Sequence, residues 1–420
     1  MDHCLYVASS LTLVLLLFWY RDAGPEPPGL GRFWRHCLPR AVWAHPSARL
    51  DAAFVVVNAL VERVAVVPLL VASPWIAGHV VAVLQATLGE HEPAAGGLGA
   101  GVALTLALLL AADFGFYVSH TLQHRVGVLW EFHAVHHSAA VLTPLTAYRQ
   151  HPVDDLIDGT LIALATGMVH GVAGYIWQGL AEPVLVLGAN AGLVLFLFAG
   201  AHLRHSHVWL SYGPVLSRIF ISPAQHQIHH SVDPRHVDRN FGGIFAIWDA
   251  LFGTLYVPRT RETLTVGLAD GGHAGLDSVA RLYTMPFRRL LARIPAIAHG
   301  GALMKRSCVV PVIALVTLAL ATTLSVHRGL AQPPAPGASR PTAVQPLKTA
   351  EGWWLAAEVH GDQILAFINT PQGRVLLADG QYKLANGGAI RVKDGRVVWD
   401  QFGIVEKFNQ GQVKGLLGIG

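Results

Sequence analysis

The sequence predicts a mainly α membrane protein: a transmembrane helical bundle with a cytoplasmic, histidine-rich di-metal cap, followed by a small all-β soluble C-terminal domain. Three observations carry this fold class. Of 420 residues, 52% are hydrophobic and only 13% are charged, with a mean hydropathy of +0.43, whereas an ordinary soluble domain is about 25% charged. Eleven histidines fall into spaced clusters beside the apolar runs: His120-x3-His124, His133-x2-His136-His137, His202-x2-His205-x-His207 and His226-x2-His229-His230. From residue 351 the pattern changes to short β-like runs separated by turn pairs.

Composition also excludes some classes. Cys4, Cys37 and Cys308 lie far apart with no CxxC pair, so they form neither a disulfide framework nor a thiolate metal site. The formal charge is only +4, and the arginines sit in loops flanking apolar runs, which is a membrane-topology pattern and argues against nucleic acid as a partner.

Taken in order, residues 1–92 hold N-terminal membrane helices and a basic loop. Residues 4–20 are apolar over nearly the length a bilayer demands, and no basic residue precedes them as in a signal peptide. The next loop carries Arg21, Arg32, Arg35, Arg40 and Arg49, a cytoplasmic signature. Residues 52–90 are apolar but broken by Glu62, Arg63 and Pro74. They make either one span plus an interfacial helix or a tight hairpin; a single span keeps the histidine segments cytoplasmic.

Residues 93–258 form the metal-binding domain. A span at 97–118 runs into the first histidine pair, and spans at 156–177 and 183–203 are joined at Glu182-Pro183. The segments His120–His151 and His205–His230 then emerge on the same side, as one metal centre requires. Residues 259–306 are irregular and basic, with Arg281, Arg288, Arg289, Arg293, Lys305 and Arg306, and 307–328 hold a last transmembrane helix, apolar over 308–325. A Pro-rich linker at 329–350 leads to the β domain at 351–420, whose turns include Asn386-Gly387 and Asp394-Gly395. With the preceding segment inside, this domain lies on the opposite side of the membrane, the periplasm if the source is bacterial.

Neutral imidazole is the commonest biological metal ligand. His120 and His124, spaced i, i+4, share a helix face and can bind one ion. In His-x2-His-His, positions i and i+3 share a face while the adjacent ring points about 100° away. Each triplet can therefore serve two metals, and two triplets on two helices can hold a pair of ions. In the third cluster His205 is the strongest candidate, with His202 and His207 behind it. Imidazole suits Fe, Zn, Cu and Ni alike, and the HExxH hydrolase motif is absent. His3, His36, His45, His79, His91, His170, His236, His273, His299, His327 and His360 lie outside the clusters and read as ordinary polar or capping residues. Asp113, Asp238, Asn240 and Asp249 read either as caps and turn formers or as hydrogen-bond partners that orient a ligand ring. Trp130, Trp248 and Phe252 read as core or interfacial anchors.

At these residues the chain resembles the fatty acid hydroxylase / sterol desaturase superfamily of integral-membrane, non-haem di-iron oxygenases. The likeness runs through Asp113-Phe114-x2-Tyr117-x2-His120-x3-His124, Trp130-x2-His133-x2-His136-His137-Ser138 and Tyr148-Arg149-x-His151-Pro152. It continues in Ser222-Pro223-x2-His226-x2-His229-His230-Ser231, Asp238-x-Asn240-Phe241-Gly242 and Trp248-Asp249-x2-Phe252-Gly253-Thr254. The resemblance implies two Fe ions, with Zn as a possible substitute, and O2 as co-substrate. By position it gives ligand roles to His120, His124, His133, His136, His137, His226, His229 and His230. His205 joins them as a ninth, while His207 stands in Leu203-Arg204-His205-Ser206-His207 where many members have an asparagine. Asp113, His151, Asp238 and Asn240 are expected to align ligands rather than bind metal, and no catalytic residue beyond the ligands is implied. The C-terminal segment resembles, more weakly, the periplasmic domain of type II secretion inner-membrane components, through Gly380-x-Tyr382, Gly388-x-Ile390, Gly395-Arg396-Val397-Val398 and Gly403-x-Val405-Glu406.

The leading functional expectation is a membrane enzyme that hydroxylates or desaturates a lipid of sterol, fatty-acyl or alkylglycerol type. No flavin, haem or ferredoxin motif is present, so a separate reductase, ferredoxin or small cytochrome would supply electrons. Alternatives are an ether-cleaving monooxygenase, a metal-dependent lipid hydrolase, and an envelope or secretion scaffold holding structural metal. In the last case the β domain would contact an envelope protein.

Overall fold

A computed structural model describes residues 3–19, 29–66, 73–92, 94–178, 180–186, 189–269 and 275–298. Beyond them it describes the strand residues 347–348, 354–360, 363–370, 373–376, 380–383, 389–393 and 396–398. Two units separate, Met1–Ala331 and Gln332–Gly420. The expected last span at 308–325, Cys308, the Pro-rich run 332–346, the turn pairs Asn386-Gly387 and Asp394-Gly395, and the 403–406 motif lie outside the described residues.

The first unit is mostly helical. Its helices are α1 His3–Leu17, α2 Leu30–Cys37, α3 Arg40–Trp43, α4 Pro46–Val61, α5 Ser73–Leu88, α6 Leu98–Arg125, α7 Gly127–His137, α8 Pro152–Trp177, α9 Ala191–Phe198, α10 Gly213–Leu216, α11 Pro223–His229, α12 Ile247–Phe252 and α13 Val279–Ala298. Among the described residues, two helices are long and apolar enough to cross a membrane, α6 with 28 residues and α8 with 26. They pack closely together: a Cβ on Gly115 would come within 2.7 Å of the Leu161 carbonyl oxygen on α8, so a small residue is what lets the two backbones approach. α5 packs against α8.

Residues 52–90, expected as one span plus an interfacial helix or as a tight hairpin, hold two helices, the end of α4 and α5, with a short π turn at Glu62–Val66 after α4. Two stretches differ from the sequence expectation. The apolar run 183–203 is not one helix. Leu185–Val186 (β1) pairs antiparallel with Ala189–Asn190 (β2). The Asn190 side chain then accepts from the backbone N–H groups of Gly192 and Leu193 to start α9, which stops before Gly200 at φ +93°. Eight residues rise only about 12 Å, too short for a span. Residues 279–298, part of the stretch 259–306 expected to be irregular and basic, are helical, and α13 buries Leu282 and stacks Tyr283 on Phe54 of α4 at 5.0 Å.

In the second unit the described residues form β3 Leu347–Lys348, β4 Trp354–His360, β5 Gln363–Thr370, β6 Gly373–Leu376, β7 Gly380–Lys383, β8 Ala389–Lys393 and β9 Arg396–Val398. They pair antiparallel in the order β3-β4-β5-β9-β8-β7, with β6 on β5. Gln363 pairs with His360 in the β4–β5 register.

Candidate metal centre

The histidines come from four pieces of chain. α6 runs unbroken past its apolar stretch to deliver His120 and His124 on its last turns. Val126, in extended conformation, turns the chain into α7, which ends in His133, His136 and His137. A 3-10 turn, Ala201–His205, presents His205. α11 starts at a capping box in which Ser222 and Gln225 exchange hydrogen bonds, and it carries His226 and His229, with His230 at its C-cap.

These residues assemble into two groups. His120, His124, His133, His137 and His229 form one, and His136, His205, His226 and His230 form the other; within each, ligand-capable nitrogens lie within 4.8 Å of one another. Each triplet is divided between the groups, as the sequence spacing suggests, but the pairing differs. His133 sits with His137 and His226 with His230, so i pairs with i+4 and the i+3 ring crosses to the other group. At about 100° per residue, i+4 is displaced by about 40° and i+3 by about 60°, so the i, i+4 pair is the better aligned.

Ring nitrogens crowd in both groups. Nε2 atoms lie 3.1 Å apart in His124–His137 and 3.2 Å in His137–His229. In the other group His205 Nε2 is 3.2 Å from His136, 3.1 Å from His230 and 2.9 Å from His226. A neutral ring has one N–H, so such a cluster cannot satisfy itself by mutual hydrogen bonds. Nitrogens sharing one ion at about 2.1 Å are about 3.0–3.4 Å apart, which is the spacing found. His133 Nε2 is buried with no hydrogen-bond partner among the described residues. The donor set therefore fits two cations.

Electrostatics agree. Desolvation holds the free imidazoles well below their usual range, to about 3 for His136 and about 4 for His229. For His133, His137, His205, His226 and His230 burial comes first, and neighbouring imidazoles add to it. The rings are thus neutral at physiological pH, with a lone pair available for metal.

The opposite ring edge is held by backbone. His120 Nδ1 donates to the Phe241 carbonyl at 2.9 Å and His229 Nδ1 to the Arg239 carbonyl at 2.8 Å, which leaves Nε2 as the acceptor. Both carbonyls belong to one loop. Asp238 and Asn240 take left-handed conformations, each at φ +58°, which Asp and Asn tolerate best among non-glycine residues. Asn240 donates to the Gln225 carbonyl at 3.1 Å and accepts from the Tyr256 N–H at 2.8 Å. Asp249 accepts from the N–H groups of Phe241 and Gly242, both at 2.8 Å, and from Thr254 Oγ1 at 2.6 Å. Asp113 accepts from the N–H groups of Ile244 and Phe245 and from Trp248 Nε1, and a Cβ on Gly243 would come within 2.8 Å of its carboxylate. Asp113 and Asp249 therefore position the loop, and the loop positions the rings.

Asp238 places Oδ1 3.6 Å from His124 Nδ1, and Asp154 places Oδ2 3.7 Å from His133 Nδ1. His151 caps α8: its Nδ1 accepts from Val153 N–H at 3.2 Å, and its Nε2 lies 3.2 Å from the Tyr283 carbonyl. His202 and His207 are outside both groups. His207 Nε2 donates to the His36 carbonyl at 2.7 Å, whereas His202 lines a cavity beside the centre.

Sequence reasoning gave no role to Asp154, Asp158 or Asp51, nor to Arg149 beyond its place in the motif with Tyr148 and His151. Buried Arg149 reaches Asp51 at 2.9 Å, Ser138 Oγ at 2.7 Å and the Val135 carbonyl at 3.1 Å, bracing the end of α7 against α4. The available signal was an acid at the mouth of an apolar helix, since ionisable residues there are rarely idle.

Residues 105–254 match the fatty acid hydroxylase family. The chain is 33% identical over 187 residues to the ornithine lipid hydroxylase OlsE of Rhizobium tropici, covering 43% of this chain and 49% of that protein. It is 30% identical over 162 residues to the alkylglycerol monooxygenase of Caenorhabditis elegans, covering 38% and 28%. A very-long-chain aldehyde decarbonylase of Oryza sativa subsp. indica is 29% identical over 160 residues, covering 37% and 24%. The chain thus spans half or less of the length of these relatives. No solved structure matches the chain.

Proposed function

Residues 105–254 belong to the fatty acid hydroxylase superfamily, and from that premise we propose that the chain is a multi-pass, membrane-bound oxygenase that uses O2 and two externally supplied electrons to hydroxylate a lipid. The observation that carries the reading is the division of nine histidines into a group of five and a group of four. All nine would be ligands: His120, His124, His133, His137 and His229 to one ion, His136, His205, His226 and His230 to the other. Imidazole sites suit iron as well as zinc, copper and nickel; the family likeness favours iron, and bound iron would supply O2 activation at a C–H bond.

The remaining work falls to the chain. The Phe241 and Arg239 carbonyls hold His120 and His229 in the tautomer that presents Nε2. Asp238 and Asp154 lie near His124 and His133, at 3.6 and 3.7 Å, beyond hydrogen-bond distance. The fully buried Phe241 ring packs against the His120, His124 and His229 rings and excludes bulk water from them. Hydroxylation balances as R–H plus O2 plus two electrons and two protons giving R–OH and water. The electrons come from a separate reductase, ferredoxin or small cytochrome.

Among lipid classes, the names of the relatives favour a polar lipid of ornithine-lipid or alkylglycerol type. On an alkylglycerol, hydroxylation next to the ether oxygen would lead to cleavage of that bond. The C-terminal strands would form a separate β module that contacts an envelope partner on the opposite side of the membrane. Turnover with 18O2 tests the reading: the oxidised lipid should carry one 18O atom. Label arriving from 18O-water instead would identify a hydrolase. Removing residues 330–420 should leave that incorporation in place, whereas a scaffold would lose its partner and show no turnover in either form.

A further inference from the structure

The nine candidate ligands do not all face the same space. His120, His133, His136, His205 and His226 line the cavity of about 260 Å³ beside the centre, whereas His124, His137, His229 and His230 do not. His124 and His137 are covered instead by Trp130 of α7, whose ring centroid lies 5.2 Å from the first imidazole and 5.5 Å from the second. Trp130 is half-buried and forms no part of the cavity wall.

The side chains around it reach water. Arg125, next to His124, is exposed, and its guanidinium lies 5.9 Å over the Phe241 ring, which in turn packs on His120, His124 and His229. Arg125 has no acidic partner among the described residues. Val237 is exposed, and Asp238, 46% exposed, lies 3.6 Å from His124. Arginine and tryptophan are the residue types that most often anchor protein–protein contacts. An exposed cation with no acid beside it favours an acidic surface opposite.

The arrangement also selects the kind of reductant. A hydride passes only between atoms in contact, and the Trp130 ring stands between water and the two imidazoles. An electron can cross one intervening ring, at a rate that falls steeply with separation. A carrier on this face would leave the cavity on the other side free for substrate.

We propose that electrons enter at Trp130: a one-electron carrier protein with an acidic edge docks over Arg125, Trp130 and Val237 and passes electrons singly through the Trp130 ring to the five-membered group. At each docking the carrier is oxidised by one electron and the ion held by that group is reduced by one, with no bond formed or broken. Two dockings supply the two electrons of a turnover. The fate of these electrons rests on the oxygenase reading, but the docking face does not.

The test begins with binding to the full-length, zinc-loaded protein, where no redox change occurs, using an acidic [2Fe–2S] ferredoxin and a small acidic cytochrome as probes. One of them should bind, more weakly as salt rises, and Arg125→Glu should weaken it about tenfold. The iron-loaded, oxidised protein is then mixed with the reduced carrier in a stopped-flow instrument. Trp130→Leu, which still covers the imidazoles, should slow iron reduction severalfold at saturating carrier while keeping the metal content and the rate with dithionite. Trp130→Phe, which retains a ring, should recover most of the rate. The exposed position Arg125 carries the test if Trp130→Leu loses metal. The proposal is overturned if neither carrier binds, if a bound carrier cannot reduce iron that dithionite reduces, or if the leucine and glutamate variants match the wild type. Iron that neither the carriers nor dithionite can reduce would instead remove the oxygenase reading, and salt- and Arg125-dependent binding to the zinc form would still retain the docking face.

Discussion

Asp249 offers the sharpest test of how the loop at 238–242 serves the metal centre. It is fully buried and accepts three hydrogen bonds, from the N–H groups of Phe241 and Gly242 and from Thr254. Asp249→Ala leaves two buried backbone N–H groups unpaired, at about 1–3 kcal/mol each, so a destabilisation of about 2–6 kcal/mol is expected. The same loop supplies the carbonyls that orient His120 and His229, and losing that orientation typically lowers metal affinity about 10- to 100-fold. Metal titration of the chelated variant, with thermal unfolding in the same detergent, reads both effects. Asp249→Asn keeps one acceptor and should fall between. If Asp249→Ala bound two ions with wild-type affinity and melted at the wild-type temperature, the proposed chain from carboxylate to loop to imidazole would be wrong.

Other outcomes follow from the same geometry. His205→Ala should lose the ion held by the four-membered group, whereas His207→Asn, which removes a bond to the His36 carbonyl, should keep both; elemental analysis separates them. For the metal-free protein, His136 and His229 titrate at about 3 and 4 when folded and near 6.5 when unfolded. Below pH 6.5 the unfolded chain therefore binds more protons, and stability falls by about 1.4 kcal/mol per pH unit for each such ring. The contribution is fully present above pH 6.5, and a melting temperature flat from pH 7 to pH 5 would contradict it. Asp51→Leu or Arg149→Met alone should cost about 3–5 kcal/mol by stranding a buried charge. The double substitution should cost less than the sum, as a thermal-unfolding cycle would show.

The candidate ligands were legible because helix periodicity constrains them. Spacings of three and four residues can aim at one point only from a helix, and the nine residues singled out from spacing and family likeness are the nine that converge. His207 shows the limit of spacing alone: it lies two residues from His205, but the 3-10 turn ends at His205 and the next residues run extended, turning His207 towards His36. Longer-range partners were not legible. Asp154 meets His133, and Asp51 meets Arg149 98 positions away, through tertiary packing that carries no local period. Hydropathy overstated the run 183–203 because it registers apolar residues but not the Asn190 cap or the break at Gly200. It understated α13, which its arginines keep from reading as an apolar run although it buries Leu282.

The metal-to-protein ratio of the full-length chain, purified from iron-replete cells and measured by elemental analysis, tests the central claim most directly. Two histidine groups of five and four members predict about two iron atoms per chain, both removed by chelation and both restored on titration. A chain that takes up no metal, or saturates at one ion with all nine histidines intact, would contradict the two-site centre.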